Sequence, residues 1–152
     1  VGIKSWKREF LAVSASKAAE DSWLKALLHS RKKWTGFLPE NLAKHKLTPD
    51  SVVHPHQVDG SSTCALCLKA VVEYKRRFTQ SICSVCPLAK ARGPGKTCCD
   101  QTGTSANLSP YLTWRRKDDP EPMIKLIDKA IAQVKLEEGG LVRVRKAKPR
   151  AV

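Results

Sequence analysis

Large rings and acidic groups are what this sequence has little of. Aromatic residues make up 6% of its 152 positions, and there is a single methionine. A chain of this length buries a real core, but here that core is modest. No run of roughly 18 apolar residues occurs, so no membrane span is expected. Fourteen Asp and Glu stand against 28 Lys and Arg, a formal net charge of +14. That imbalance favours a polyanionic partner, either nucleic acid or an acidic protein surface. Val1-Gly2-Ile3-Lys4 leads into no apolar segment with a cleavage site, and no secretory signal is read there. The expected setting is the cytoplasm, where six cysteines point to metal or redox chemistry before structural disulfides.

Catalytic signatures are also missing. There is no H-E-x-x-H and no G-x-S-x-G, and no Ser or Cys nucleophile comes with a positioned base. Gly95-Lys96-Thr97 imitates the end of a phosphate loop, but the first glycine of G-x-x-x-x-G-K-[ST] would fall on Lys90. His54, His56 and Asp59 beside paired cysteines suggest a zinc-stapled HNH nuclease. That reading lacks a His downstream of position 56, and Asn107 is the only downstream Asn. Asp118-Asp119 and Glu137-Glu138 read as helix-end charges. No small-molecule substrate is indicated, and the chain is read as non-enzymatic.

The cysteines carry the strongest pattern. Cys64-Ala65-Leu66-Cys67 and Cys83-Ser84-Val85-Cys86 are separated by 15 residues, the spacing of a C-x2-C…C-x2-C zinc site. Each pair can turn as a knuckle that directs two thiolates to one point, and two knuckles complete a tetrahedron with Zn–S near 2.3 Å. The expected ligands are Cys64, Cys67, Cys83 and Cys86, with Cys98, Cys99 or His56 as possible substitutes. Four thiolates leave no open coordination position, so the Zn2+ would be structural. A thioredoxin-like redox pair is the competing reading, and the βαβ strand pattern it requires is missing.

Apolar periodicity outlines an α-rich chain, mainly α with a small α+β arrangement possible. A helix over 16–36 is predicted, capped by Ser16 and ending at Gly36, with Ala19, Trp23, Ala26, Leu27, Ser30 and Trp34 on one face. Trp6, Phe10 and Leu11 precede it in a short helix or strand. Pro39 opens another helical turn or two. Residues 48–62 read as a connector. A helix follows Cys67, offering Val71, Tyr74 and Phe78 to the core, and residues 87–110 read as irregular. A last helix starts near Asp119 with Pro120 in its first turn. Met123, Ile124, Ile127, Ala130, Ile131 and Val134 line its face, and Gly139-Gly140 ends it. The expected organisation is one zinc-stabilised domain over 1–140, with its knuckles in 61–100, and a basic strand or tail over 141–152.

Three basic triplets each adjoin an aromatic: Arg31-Lys32-Lys33 before Trp34, Lys75-Arg76-Arg77 between Tyr74 and Phe78, and Arg115-Arg116-Lys117 after Trp114. With Arg143, Arg145, Lys146, Lys148 and Arg150 they form the candidate polyanion surface, charges for phosphates and rings for bases. The plainer reading of any one triplet is a helix end offsetting its own dipole.

Lys33-Trp34, Cys64-Ala65-Leu66-Cys67, Cys83-Ser84-Val85-Cys86-Pro87, Cys98-Cys99 and Ser109-Pro110-Tyr111 together resemble a group of small cysteine-rich zinc-binding proteins of phages and bacteria. The resemblance covers roughly residues 33–114. It implies zinc, a small fold and, by analogy, a protein that acts on host machinery by binding. The doubled Cys98-Cys99, the long stretch before Pro110-Tyr111 and the basic tail depart from that group's pattern. The leading expectation is a zinc-stabilised nucleic-acid-binding protein. The alternative is an inhibitor or adaptor that docks on a host protein, and an HNH-like nuclease comes third.

Overall fold

A computed structural model describes residues 2–77, 82–100 and 108–146, with side chains described to residue 75 in the first stretch and 139 in the last. The chain is α-rich: nine α-helices and two 3-10 turns occur among the described residues, and no strand does. No helix among them is long and apolar enough to cross a membrane.

Helix α1, Ile3–Phe10, settles the first ambiguity in favour of a helix and buries Trp6 and Phe10. The helix expected over 16–36 is two helices. Ser14, not Ser16, caps α2, Ala15–Ala19, its Oγ accepting from Lys17 N–H at 3.2 Å. Ser22 caps α3, Trp23–Thr35, in the same way through Lys25 N–H. Asp21 fixes the break by accepting the Ser22 N–H at 2.7 Å, because short polar side chains satisfy backbone donors that a continuous helix would use itself. Gly36 ends α3 as expected.

Helix α4, Pro39–Lys44, opens at Pro39. The expected connector contains α5, Pro49–Val53, opened by a Thr48/Ser51 capping box, then a 3-10 turn over Ser61–Thr63. Helix α6, Ala65–Arg77, starts before Cys67 rather than after it. A second 3-10 turn, Ile82–Val85, leads to α7, Pro87–Arg92, inside the stretch read as irregular. Pro87 occupies the first helical turn, where its missing N–H costs nothing. Helix α8 spans Pro110–Lys117 under a Ser109 cap.

Helix α9 runs from Glu121 to Lys146. It does not stop at Gly139-Gly140: glycine costs a helix only about 1 kcal/mol and lacks the steric block of proline. Residues 141–146 are therefore helical and not a strand or tail, while 147–152 lie outside the described residues.

The most extensive packing joins α3 to α9, with α6 and α7 against them. Met123, Ile124, Ile127, Ala130 and Ile131 are buried as α9's periodicity predicts, and Val134 is half-buried. On α6 the core residues are Ala65, Leu66 and Ala70. Val71 and Tyr74 are only half-buried, and Phe78 lies outside the described residues. Complete burial of side chains such as Leu27 and Ile127 contributes roughly 1.5–3 kcal/mol each.

A short aromatic column fixes the centre. Phe37 stacks on Trp6 at 5.3 Å and on Trp114 at 4.9 Å, with Trp34 edge-on to Phe37 at 5.0 Å. Trp6, Phe37, Trp34 and Trp114 are thus gathered in one place, and that place adjoins the cysteines through Trp34.

Candidate metal centre

Both cysteine pairs sit where helices begin. Cys64 has extended backbone angles and precedes α6. Its Sγ accepts the Cys67 N–H at 3.4 Å, so the thiol does the work of a cap. Cys86 is the N-cap of α7, and its own N–H donates to Cys83 O at 3.0 Å, closing the second C-x-x-C as a tight turn. Cys98 is tied to α8 by the bond from Tyr111 N–H to its carbonyl, 2.9 Å. Helix N-termini present free N–H groups and a positive dipole end, which favour thiolate over thiol.

The six cysteines are free and act on one another. The Cys67 thiol donates to Cys64, drawing Cys64 down to about 5 and pushing Cys67 well above its ordinary value. Cys98 and Cys99 repeat the arrangement: Cys99 falls to about 6 and Cys98 rises. Cys83 is raised by burial first, then by the charge of Cys99. Burial pushes Cys86 up to about 12. The negative charge of Cys64 raises each of the other five. The four expected ligands and the two cysteine substitutes therefore belong to one electrostatic neighbourhood. Among the described residues, no three His, Cys, Asp or Glu side chains are already drawn together as a metal-holding group.

Cys64, Cys67, Cys98 and Cys99 line a cavity of about 240 Å³ that also receives Ser30 and Lys33. Ser30 Oγ is buried with no hydrogen-bond partner among the described residues. Lys33 is fully buried. Its Nζ donates to Thr63 O at 3.2 Å and Thr63 Oγ1 at 3.3 Å, both uncharged, and it lies 5.7 Å from the Trp34 ring centroid. No carboxylate stands within ion-pairing distance of it among the described residues. Burial lowers its affinity for a proton, and the charges opposing that are Cys64, Cys67, Asp59 and Cys98. A buried ammonium in such surroundings fits an anionic group at the thiols. Soft thiolate donors suit Zn2+, Cu(I) or an iron–sulfur cluster. Zinc held by Cys64, Cys67, Cys83 and Cys86 would supply a rigid cross-link between the starts of α6 and α7, with no position left for substrate.

His56 follows α5, where its N–H donates to Ser51 O at 3.5 Å, and it does not line the thiol cavity. His54 is the exposed C-cap residue that follows α5. Asp59, the carboxylate of the nuclease reading, is buried in a different task. Its Oδ2 accepts from Trp114 Nε1 at 3.1 Å, Tyr111 Oη at 3.3 Å and an Arg115 guanidinium N–H at 3.3 Å. That bond network holds α8 to the loop before Cys64.

The candidate basic surface is only partly a surface. Lys33 is interior, so it is removed from the set of phosphate contacts. It shares a helical stripe with Ala26 and Ser30, both buried. Arg31 binds Asp128 at 2.5 Å, joining α3 to α9. Arg115 is half-exposed and committed to Asp59 and Tyr111. Lys32, Lys75, Arg116 and Lys117 are exposed. Arg76 and Arg77 end α6 and Arg143 and Arg145 lie in the last turns of α9, but their side chains lie outside the described residues. Reasoning from sequence missed Lys33 as an interior cation, and missed Thr63, Asp59 and Tyr111 altogether as its surroundings. The 26, 30, 33 spacing was the signal for Lys33.

Fold and site together define a small α-rich protein with a thiol-lined cavity and a buried lysine beside it. The chain matches no protein-family model, no curated protein and no solved structure.

Proposed function

We propose that this chain is a zinc-stabilised, non-catalytic protein that binds nucleic acid in the cytoplasm, with Cys64, Cys67, Cys83 and Cys86 holding the metal. The observation that carries the zinc part is the burial of Lys33, with no carboxylate in ion-pairing distance among the described residues, beside the thiols of Cys64 and Cys67 at the start of α6. The nucleic-acid part is supported by the +14 charge and by exposed Lys32, Lys75, Arg116 and Lys117. Phosphate contacts by such groups release counterions, so affinity falls steeply with salt. The test is a salt titration against labelled single- and double-stranded DNA and RNA. Binding to one form that persists near physiological salt supports the reading, and binding that vanishes well below it overturns the reading.

A second reading, an inhibitor or adaptor acting on a host protein, is favoured by one stripe of α3. Leu28, 46% exposed, lies between exposed Lys25 and Lys32 at helical spacing. An apolar residue flanked by cations fits a protein surface with an acidic rim better than it fits a phosphate backbone. A stable protein partner that survives high salt would select this alternative.

A further inference from the structure

A lysine with no exposed surface is an expensive feature unless something offsets its charge. The partners of Lys33 are the carbonyl and hydroxyl oxygens of Thr63. The Thr63 hydroxyl itself donates to Val58 O at 2.6 Å, which turns its lone pairs towards Lys33. The lysine is therefore held in place by neutral oxygens and receives no compensating charge from them. Thr63 immediately precedes Cys64, and the ammonium faces the cavity lined by Cys64 and Cys67.

We infer that Lys33 is the buried counter-cation of the metal–thiolate centre and sets its affinity for metal. This rests on the zinc reading above. Four thiolates around Zn2+ carry a net charge of −2, and in a poorly hydrated site that charge is costly to hold unless a cation sits beside it. Lys33 supplies one positive charge from α3, an element that contributes no ligand. The relation is mutual: the occupied centre offsets the lysine, and the lysine offsets the occupied centre. In the metal-free protein no centre of net charge −2 stands beside the lysine, so the offset is smaller and the burial of Lys33 weighs more heavily on the fold in that state. A residue kept only for packing would behave the same way in both states.

The test uses the full chain with Lys33→Met, which keeps length and apolar stem, and Lys33→Gln as a second variant. Zinc affinity is measured by competition with a chromophoric chelator. Stability of the metal-free protein is measured by urea unfolding. The Co2+-substituted protein gives thiolate-to-metal charge-transfer bands that report the ligand set. The inference expects zinc affinity to fall roughly tenfold or more, since an opposite charge at close range in an interior is worth at least that. It also expects unchanged Co2+ bands and a metal-free variant no less stable than the unsubstituted chain. Unchanged zinc affinity in both variants overturns it. So does a loss of affinity matched by an equal loss of metal-free stability, which would make Lys33 a packing residue. If the unsubstituted chain binds no zinc, it is the zinc reading itself that fails.

Discussion

The indole N–H of Trp114 donates to the buried carboxylate of Asp59 across 3.1 Å. The bond joins the aromatic column to the loop that precedes Cys64, so the apolar centre and the cysteine neighbourhood are one mechanical unit. Asp59→Ala leaves the Trp114 donor unsatisfied and frees the Arg115 guanidinium. It is expected to destabilise the protein by about 2–4 kcal/mol, as loss of a buried charged acceptor does. Urea unfolding of the metal-loaded protein reads this, and a change below about 0.5 kcal/mol would show that the network is not structural.

Gly36 is required for space. Its φ is that of ordinary helix, but a Cβ there would stand 2.6 Å from Phe10 Cγ and 2.8 Å from Trp6 Cζ2. The Gly36 carbonyl meanwhile accepts the Trp6 indole N–H at 2.8 Å, fixing the two helices together. Gly36→Ala is expected to cost about 1–3 kcal/mol by overpacking. Thermal unfolding with an unchanged midpoint would contradict this close approach of α1 to α3.

Glu9 predicts an acid-side dependence. Its hydrogen bond to Lys44 and its contact with His45 hold its carboxyl below the ordinary value of 4.5. A depressed carboxylate contributes stability that is complete above the unfolded value and is lost as pH falls through the folded one. Glu9→Gln should therefore be less stable than the unsubstituted chain near about pH 6, with the gap narrowing towards about pH 3. A gap that stays constant across that range would assign the difference to packing alone.

The cysteines predict an order. Structural zinc supplies on the order of 10–16 kcal/mol in small zinc peptides, shared over four ligands. Cys64→Ser, Cys67→Ser, Cys83→Ser and Cys86→Ser should each lower zinc affinity by roughly a hundredfold or more. Cys98→Ser and Cys99→Ser should leave the stoichiometry unchanged. Chelator titration of the six variants decides it, and a loss at Cys98 or Cys99 with none at Cys83 or Cys86 would transfer two ligand positions.

The nucleic-acid reading predicts that Arg116→Glu with Lys117→Glu weakens binding across all sequences and lowers the salt slope by about one for each phosphate no longer neutralised. Fluorescence anisotropy at several salt concentrations measures both. An unchanged slope would place the binding surface elsewhere.

Much of the framework was legible because it follows rules local in sequence. The apolar stripe of α9, the stop at Gly36 and the start at Pro39 each need only neighbours three or four residues away. The break before α3 was hidden because three serines compete as caps over the same stretch, and the choice between Ser16, Ser14 and Ser22 depends on where Ala18 and Ala26 find a core. The passage of α9 through Gly139 was hidden because two glycines look like a terminus, although they only weaken a helix. At the candidate site the cysteine pairing was legible from spacing. The role of Lys33 was not, because its triplet suggests surface charge and its interior position is set by Thr63 and Trp34, one of them thirty residues away.

The most direct test of the central claim is the metal content of the purified chain, read by elemental analysis alongside its helical circular dichroism before and after exhaustive chelation. The account predicts about one zinc per chain and a loss of ordered structure once it is removed. A chain that purifies without metal and keeps its full helical signal would contradict it.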